Sequence, residues 1–384
     1  MSVKVELDGL FAKDFEFVSQ SPFLTAHKSL IEKSLKHSPK ISLKMSQVCL
    51  DFVWERLHTG HWSLVSHYWR SAYSFFSTTA ALACLSSNSN KLQALKFLDY
   101  GIIMGGDVEN VLTTLAQGIH DSLEQNDKLE LIECIEADSR ISRPSSIAEH
   151  ENIVCEEFLK LIAADLPFKI TGALEIWPAL KRWSLKYILK ICAYRHVPIE
   201  IGSKYNDEDW TQQIMPLYKF VETYFAPQES VKGYLAQHDF LGQVPLLRED
   251  ITIPDYCYMT PELINGAEKG DVLINSWFGP AGTVSPLHQD PRRNLLCQVF
   301  GRKQLVLIPA CDSEYVYPAS DDPLLLNTSQ VDVENVDKEK FPLFERANQI
   351  TAVLNPGDMI YIPPKCWHFV KSLDPSFSIS FWFD

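Results

Sequence analysis

The stretch SPLHQDP, residues 285–291, places a histidine and an aspartate two positions apart between two prolines. It leads into an apolar run, NLLCQVF, at residues 294–300. If this stretch is an extended strand, His288 and Asp290 point to the same face and can enter one cavity. A histidine-x-aspartate triplet alone is weak, since a chain with 11 histidines should contain about one by chance. Its meaning depends on a third residue elsewhere in the chain.

His368 is the candidate for that third residue. It lies in NPGDMIYIPPKCWHFVKSL, residues 355–373, where a turn leads into an apolar strand, two prolines end it, and the histidine opens the next run. In an antiparallel barrel, strands that are distant in sequence can face each other. Two imidazoles and one carboxylate on one face of a metal leave adjacent positions open, which is typical of non-haem Fe(II) oxygenases. The same ligands would suit a zinc hydrolase, but the sequence has no H-E-x-x-H motif.

Lys303 follows the turn at Gly301, which is predicted to join two apolar runs as a hairpin. Alone, a lysine at such a position is expected to be solvated. An ammonium group that reaches into an apolar barrel, however, needs an anion there. 2-Oxoglutarate would supply one, because its keto-acid end chelates iron and its far carboxylate can meet the cation.

These motifs resemble the JmjC family of 2-oxoglutarate oxygenases, from about Ile170 to the C-terminus. The resemblance is carried by SPLHQDP with the following FGRK, by GDMIYIPPKCWH and SFSISFWF, and further by INSWFGPAGTVSPLHQDP, NTSQVDVENVD and KGYLAQHDF. It implies an α+β protein, with a C-terminal double-stranded β-helix (jelly-roll or cupin-like) JmjC domain preceded by a helical N-terminal domain. It also implies an enzyme that uses Fe(II), with 2-oxoglutarate and O2 as cosubstrates.

The resemblance assigns roles to individual residues. His288, Asp290 and His368 would bind Fe(II), and the ammonium of Lys303 would pair with the distal carboxylate of 2-oxoglutarate. The other residues expected around the cosubstrate are Tyr234, Trp277, Ser285, Asn294 and Trp382. By residue type alone, Tyr234 and Trp277 would be ordinary core aromatics.

The resemblance also implies substrate contacts at Glu200, Tyr205 and Trp210, within VPIEIGSKYNDEDW at residues 197–210. A carboxylate can form a forked pair with guanidinium, and aromatic faces can stack on its plane. By residue type alone, Glu200 would be solvated. The implied reaction is hydroxylation of the β-carbon of arginine residues in proteins. Demethylation of methyl-lysine in histones, which would make the protein a chromatin regulator, is one alternative; a non-catalytic cupin-like scaffold is another.

The chain has two parts with different sequence patterns. Residues 1–137 are predicted to form a helical domain, 138–153 a polar linker, and 154–384 the oxygenase domain, with a catalytic core from about 230 to 384. Helical spacing predicts helices at 46–57, 91–104, 184–193 and 215–225. Apolar runs between turn residues predict strands at 272–278, 294–300, 304–308, 359–362 and 377–383, the last of them half-buried.

Composition limits the partners and the compartment. A net charge of −14 repels phosphate backbones, so we expect no direct binding of nucleic acid. The charge is compatible with a basic protein or peptide as substrate, such as a histone peptide, or it serves solubility alone. Nine scattered cysteines without C-x-x-C spacing suit a reducing compartment, the nucleus or the cytoplasm. The N-terminus lacks an apolar signal region, and no membrane span is expected. The sequence does not indicate the oligomeric state.

Two features depart from the family pattern. Arg292 and Arg293 place two cations between the predicted metal ligand Asp290 and Asn294. The loop from Met259 to Gly270 is longer than is usual for the family. Neither involves the predicted metal or cosubstrate residues, so both bear on substrate preference.

Overall fold

The structure is a computed structural model that describes residues 21–86, 90–106, 110–123, 144–202, 210–226, 231–264, 270–319 and 325–384. The described residues divide into two compact units. Residues 21–123 with 194–197 form a helical unit, and 144–193 with 198–384 form a unit rich in strands. No helix within the described ranges is long and apolar enough to cross a bilayer.

Within the described residues of the helical unit, the α-helices are α1 (Pro22–His37), α2 (Pro39–Leu57), α3 (His67–Ser86), α4 (Lys91–Gly105) and α5 (Val111–Asp121). Helix α3 is buried on all sides from Ala72 to Cys84, so it forms the centre around which its neighbours pack. A buried ion pair joins Asp99 of α4 to Arg195, with 2.7 Å between Oδ1 and Nη2. It anchors the segment 194–197 within this unit.

Thirteen strands are present in the described ranges. They are β1 (Glu149–Glu151), β2 (Phe168–Thr171), β3 (His196–Ile201), β4 (Thr211–Pro216), β5 (Gly233–His238), β6 (Leu273–Gly279), β7 (Val284–Gln289), β8 (Arg293–Phe300), β9 (Lys303–Ile308), β10 (Ile350–Leu354), β11 (Met359–Ile362), β12 (Trp367–Ser372) and β13 (Ser376–Phe383). The intervening helices are α6 (Cys155–Ile162), α7 (Ala179–Arg182), α8 (Leu185–Cys192), α9 (Leu217–Tyr224), α10 (Phe240–Gln243), α11 (Pro245–Arg248) and α12 (Pro261–Ile264).

The strands form two sheets. The larger has the order β1-β2-β11-β8-β13-β6-β5-β3-β4, and the smaller has the order β10-β9-β12-β7. From β6 to β9, and again from β10 to β13, successive strands alternate between the two sheets, as in a jelly roll. The α+β fold class, with a helical region followed by a cupin-like domain of antiparallel strands, is thereby confirmed.

The five strands predicted from apolar runs are present as β6, β8, β9, β11 and β13, with ends shifted by at most one residue. The segment predicted to be a linker, 138–153, contains β1, which pairs in parallel with β2. Residues 138–143 of that segment lie outside the described residues.

Strand β13 was expected to be half-buried, and this prediction was wrong. Ser378 and Ser380 are completely buried because β13 lies between β6 and β8, in the interior of the larger sheet. Their hydroxyls are satisfied by polar partners: Ser378 donates to Gln298 Oε1 at 2.7 Å, and Ser380 accepts from the indole of Trp277 at 2.9 Å. Alternation of serine with aromatics therefore marks the two faces of a buried strand rather than an exposed side.

The hairpin turn between β8 and β9 depends on Gly301, which has φ +69°. A Cβ atom there would collide with the carbonyl oxygen of Pro375 and the Cα of Ser376. We therefore expect Gly301→Ala to lower the free energy of unfolding by about 2 kcal/mol or more, through strain and the collision together. Urea unfolding measures this. The matched control is Gly282→Ala, where φ is +83° but the nearest atom is 3.5 Å away, and equal losses in both variants would contradict the role of the collision.

Candidate active site

The two sequence-distant motifs meet because β7 and β12 are antiparallel neighbours. Their register places His368 directly opposite His288, and the two rings are 4.1 Å apart between centroids. Asp290 follows the end of β7, with its Oδ2 atom 3.5 Å from Nε2 of His368. One donor atom of each residue lies within 4.8 Å of the others. Two imidazoles and a carboxylate therefore face one point, as a metal requires.

Hydrogen bonds orient both imidazoles. Nδ1 of His288 donates to the carbonyl oxygen of Pro286 at 2.7 Å, and Nδ1 of His368 donates to that of Cys366 at 3.0 Å. Each ring is thereby held in the tautomer in which Nε2 carries no proton and can bind a metal.

The protonation states at this site also suit a cation. Burial, together with the neighbouring His368, lowers the pKa of His288 to about 4. Burial alone would raise the pKa of Asp290, but the two imidazoles outweigh it and hold the pKa below its usual value. At neutral pH, His288 is therefore neutral and Asp290 is ionised, as metal coordination requires.

These three residues form part of the lining of a pocket. Its other polar lining residues are Tyr234, Ser285, Asn294 and Lys303, and its apolar lining residues are Trp277, Leu296, Ile362 and Val370. The three aliphatic residues were not predicted from the sequence to line the site. Strand pairing could have indicated one of them: Ile362 lies opposite Asn294 in the pairing of β11 with β8, so both face the pocket.

Lys303 lines the same pocket as the three candidate metal ligands. Strand β9 is hydrogen-bonded to β12 in the smaller sheet. The side chain of Lys303 is 1% exposed, and its Nζ donates to the hydroxyl of Tyr234 at 3.0 Å. Burial lowers the pKa of Lys303 to about 7. Among the described residues no carboxylate forms an ion pair with it, so the pocket contains an amine that is charged below about pH 7 and has no anionic partner.

The remaining predicted cosubstrate residues occupy the same region. Ser285 hydrogen-bonds Tyr234, and the Oδ1 atom of Asn294 is buried without a partner. Trp277 lines the pocket, as expected, with its indole N–H donated to Ser380. Trp382 lies opposite Asn294 in the pairing of β13 with β8, but it is not among the residues that line the pocket.

Two of the three predicted substrate residues can be located. Glu200, on β3, lies opposite the pocket residue Tyr234 on β5. The indole of Trp210 hydrogen-bonds the carboxylate of Glu200, and Trp210 is 37% exposed. Burial raises the pKa of Glu200 to about 7, although the Trp210 hydrogen bond acts to lower it. Tyr205 lies outside the described residues.

The two arginines that depart from the family pattern are both paired with carboxylates. Arg292 forms a two-pronged pair with Asp384, at 2.7 Å for each hydrogen bond, and Arg293 binds Glu262 at 3.0 Å. Their charges are therefore largely offset close to Asp290. The long loop that was expected at 259–270 contains the short helix α12, and its residues 265–269 lie outside the described residues.

Comparison with known proteins gives the class that this fold and site define. A family model described as a cupin-like domain matches residues 155–384. A second model, described as KDM8-like N-terminal ARM repeats, matches residues 35–130. The chain belongs to the JmjC family of cupin-like 2-oxoglutarate oxygenases.

Within that family, the chain is similar over most of its length to a group of animal proteins. Lysine-specific demethylase 8 of Danio rerio is 38% identical over 368 residues, which cover 89% of this chain and 87% of that protein. Lysine-specific demethylase 8 of Xenopus tropicalis is 34% identical over 395 residues, covering 88% of each. Jumonji C domain-containing protein 5 of Drosophila melanogaster is 37% identical over 348 residues, covering 87% and 85%.

Proposed function

We propose that this protein is an Fe(II)- and 2-oxoglutarate-dependent oxygenase that oxidises a C–H bond on a basic side chain of a protein substrate. One observation carries the proposal: the buried ammonium of Lys303, which no carboxylate of the described residues pairs with, faces the pocket of His288, Asp290 and His368. Members of the JmjC family generally use Fe(II) and 2-oxoglutarate. A dianionic cosubstrate would supply the missing anion.

The residues present fit both groups. His288, Asp290 and His368 would hold the metal through two Nε2 atoms and a carboxylate, and Lys303, Tyr234 and Asn294 would hold the distal carboxylate of 2-oxoglutarate. Of the Asn294 amide, the Nδ2 group would donate to that carboxylate, while the Oδ1 atom, buried without a partner, can only accept a hydrogen bond. When bound together with O2, iron and 2-oxoglutarate oxidise a nearby C–H bond while the cosubstrate becomes succinate and carbon dioxide.

The chain's own contribution is positioning and exclusion of water. The hydrogen bonds from each Nδ1 atom fix the two imidazoles before a metal arrives, so little reorganisation is needed. The aliphatic wall of Leu296, Ile362 and Val370 keeps the centre dry, which strengthens the pairing of Lys303 with an anion. Glu200 on β3 lies beside this pocket, and Trp210, just before β4, contacts Glu200.

Two substrates are compatible with this chemistry. The first is N-methyl-lysine, as the names of the two lysine-specific demethylases indicate for those relatives. Hydroxylation of an N-methyl group gives a product that releases formaldehyde. The comparisons favour this reaction over the arginine hydroxylation implied by the sequence resemblance.

The second substrate is arginine, which the geometry around Glu200 favours. A half-buried carboxylate that already accepts a hydrogen bond from an exposed indole can form a forked pair with guanidinium, while the indole face can stack on its plane. Methylated ammonium groups usually need a cage of aromatic faces instead. On this reading the product is β-hydroxyarginine, and no fragment is released.

Mass spectrometry of a peptide panel separates the two reactions. The protein is incubated with Fe(II), 2-oxoglutarate, O2 and peptides that contain either arginine or methylated lysine. One added oxygen mapped to arginine supports the hydroxylase, whereas loss of methyl groups with formaldehyde release supports the demethylase. No succinate in any reaction would contradict the oxygenase proposal and favour a non-catalytic scaffold.

Glu200→Gln is expected to reduce oxidation of a cationic side chain by about 10- to 100-fold, because the amide keeps the shape but loses the charge. Succinate formation without peptide should be unchanged. Since burial raises the pKa of Glu200 to about 7, activity on peptides should also fall as the pH drops below 7 and the carboxyl becomes protonated. The readout is the peptide KM with succinate as internal reference. Glu222→Gln, an exposed site on α9, is the control, and equal activity of both variants would contradict the assignment.

A further inference from the structure

The outer edge of β7 needs a partner that the four-stranded sheet does not provide. Strand β7 is the last strand of that sheet and pairs with β12 on one side only. Its alternate residues, Leu287 and Gln289, turn their backbone groups towards the opposite side, away from β12. Asp290 follows directly and depends on the backbone of Gln289 for its position.

The segment 327–329 covers this edge. The backbone N–H of Gln289 donates to the carbonyl oxygen of Asn327 at 2.9 Å, and the side-chain Nδ2 of Asn327 donates to the carbonyl oxygen of Gln289 at 3.2 Å. Two residues further on, the N–H of Ser329 donates to the carbonyl oxygen of Leu287 at 2.8 Å. Asn327 therefore satisfies both backbone groups of Gln289, the residue between His288 and Asp290.

The segment is itself anchored on its other side. The hydroxyl of Ser329 donates to the carbonyl oxygen of Val316, and the N–H of Gln330 donates to that of Tyr317 at 2.9 Å. Thr328 and Ser329 are 1% and 2% exposed, whereas the side chain of Asn327 is exposed. The backbone of the segment is thus fixed by buried contacts, and the exposed Asn327 side chain adds the last hydrogen bond to β7.

A second contact fixes the other end of the Asp290 backbone. The N–H of Lys365 donates to the carbonyl oxygen of Asp290 at 2.7 Å, from the turn that precedes His368. Lys365 has φ +59°, so this turn is held in a conformation that a lysine rarely adopts. Asp290 therefore lies between two supports, one through Gln289 and one through Lys365.

We propose that Asn327 is a positioning residue for the metal centre, acting through the backbone of Gln289 on the carboxylate of Asp290. This inference rests on the metal centre of the proposed function but not on the choice between arginine and lysine. Asp290 lies beyond the last residue of β7 and has no pairing of its own to β12, unlike His288. Loss of the Asn327 side chain frees the Gln289 carbonyl and lets the carboxylate leave the position that faces the two imidazoles.

The test is calorimetric titration of the full chain with Mn(II), which avoids oxidation of iron. Asn327→Ala is expected to raise the Kd about tenfold, the lower end of the range for partners that orient metal ligands. Asn327→Asp should raise it as much, because a carboxylate cannot donate to the Gln289 carbonyl. The matched control is Gln330→Ala, which removes another exposed amide of the segment whose Nε2 donates to Pro318 and not to β7.

Thermal unfolding in the absence of metal tests whether Asn327 stabilises the fold rather than positioning the metal centre. The proposal expects the melting temperatures of Asn327→Ala and Gln330→Ala to agree while their Mn(II) affinities differ. It is overturned if Asn327→Ala binds Mn(II) as the wild type does, or if Gln330→Ala weakens binding equally. Failure of the wild-type chain to bind Mn(II) at all would instead overturn the metal centre on which both proposals rest.

Discussion

Asp290→Ala is expected to reduce 2-oxoglutarate turnover by about 100-fold or more, the largest effect of any single substitution at the site. Partners that only orient a ligand already contribute 10- to 100-fold to metal affinity, and Asp290 would be a ligand itself. Its carboxylate also supplies the only negative charge of the His288, Asp290 and His368 set. Without it, only the two imidazoles remain to hold a divalent cation. Succinate formation measures the loss of turnover, and Mn(II) titration measures the loss of metal affinity.

The fold should survive this substitution, because Asp290 contributes to β7 and its surroundings through its backbone. Its carbonyl oxygen, which accepts from Lys365, is present in alanine as well. The control is Asp271→Ala, an exposed aspartate whose carbonyl oxygen rather than its side chain is used by Arg292. Circular dichroism should be unchanged in both variants. Turnover in Asp290→Ala at the level of the control would refute the metal assignment.

Local patterns in the sequence predicted the strands that are themselves apolar runs between turn residues. Strand β11, for example, is apolar throughout and was located to the residue. Strand β10 was not predicted, and β7 was only conditional on extended backbone, because prolines and polar residues interrupt its pattern. The order of strands in the two sheets could not be predicted from the sequence either. It is set by pairings such as β11 with β2, which join segments separated by most of the domain.

The candidate site was more accessible to sequence reasoning than the sheet order. His288 and Asp290 are two residues apart, and His368 was reachable through its motif, so the set required no knowledge of register. Asn327 illustrates the opposite case. Its connection to Gln289 is a contact between an exposed side chain and a backbone group, and no residue type or spacing announces such a contact. Tertiary hydrogen bonds of this kind become visible only in a structure.

The electrostatic state of the site also depends on burial, which sequence does not give reliably. Glu200 and Lys303 are both charged residues that were expected to be solvated when judged by type alone. In the fold, burial raises the pKa of one and lowers the pKa of the other to about 7. Both groups can therefore change charge near neutral pH when a ligand of opposite charge arrives.

The second large effect is expected at Lys303. Lys303→Ala should weaken binding of 2-oxoglutarate by about 100-fold, because loss of one partner of a buried charge pair leaves the other desolvated and unpaired. Lys303→Met fills the same space without the charge and should weaken binding nearly as much, so the effect cannot be assigned to a cavity. The KM for 2-oxoglutarate, with calorimetry in the presence of Mn(II), measures both variants.

Lys371→Ala is the matched control for this prediction, because that lysine lies on the neighbouring strand β12 but pairs with Glu334. Its 2-oxoglutarate affinity should equal that of the wild type. An unchanged affinity in Lys303→Met would contradict the proposed pairing, even if Lys303→Ala were impaired.

The same lysine gives 2-oxoglutarate binding a pH dependence with a definite sign. Because burial lowers the pKa of Lys303 to about 7 in the ligand-free protein, the amine is increasingly neutral above pH 7. A bound carboxylate favours the protonated form, so binding above pH 7 must take up a proton and should weaken by up to about tenfold per pH unit. Below pH 7 the ammonium is already present, and the dependence of 2-oxoglutarate binding on this group should level off.

Lys303→Met should lack the slope between pH 7 and 9, since it has no proton to take up. If the wild type and Lys303→Met had the same slope, another group would cause the pH dependence, and Lys303 would not be the residue that pairs with 2-oxoglutarate.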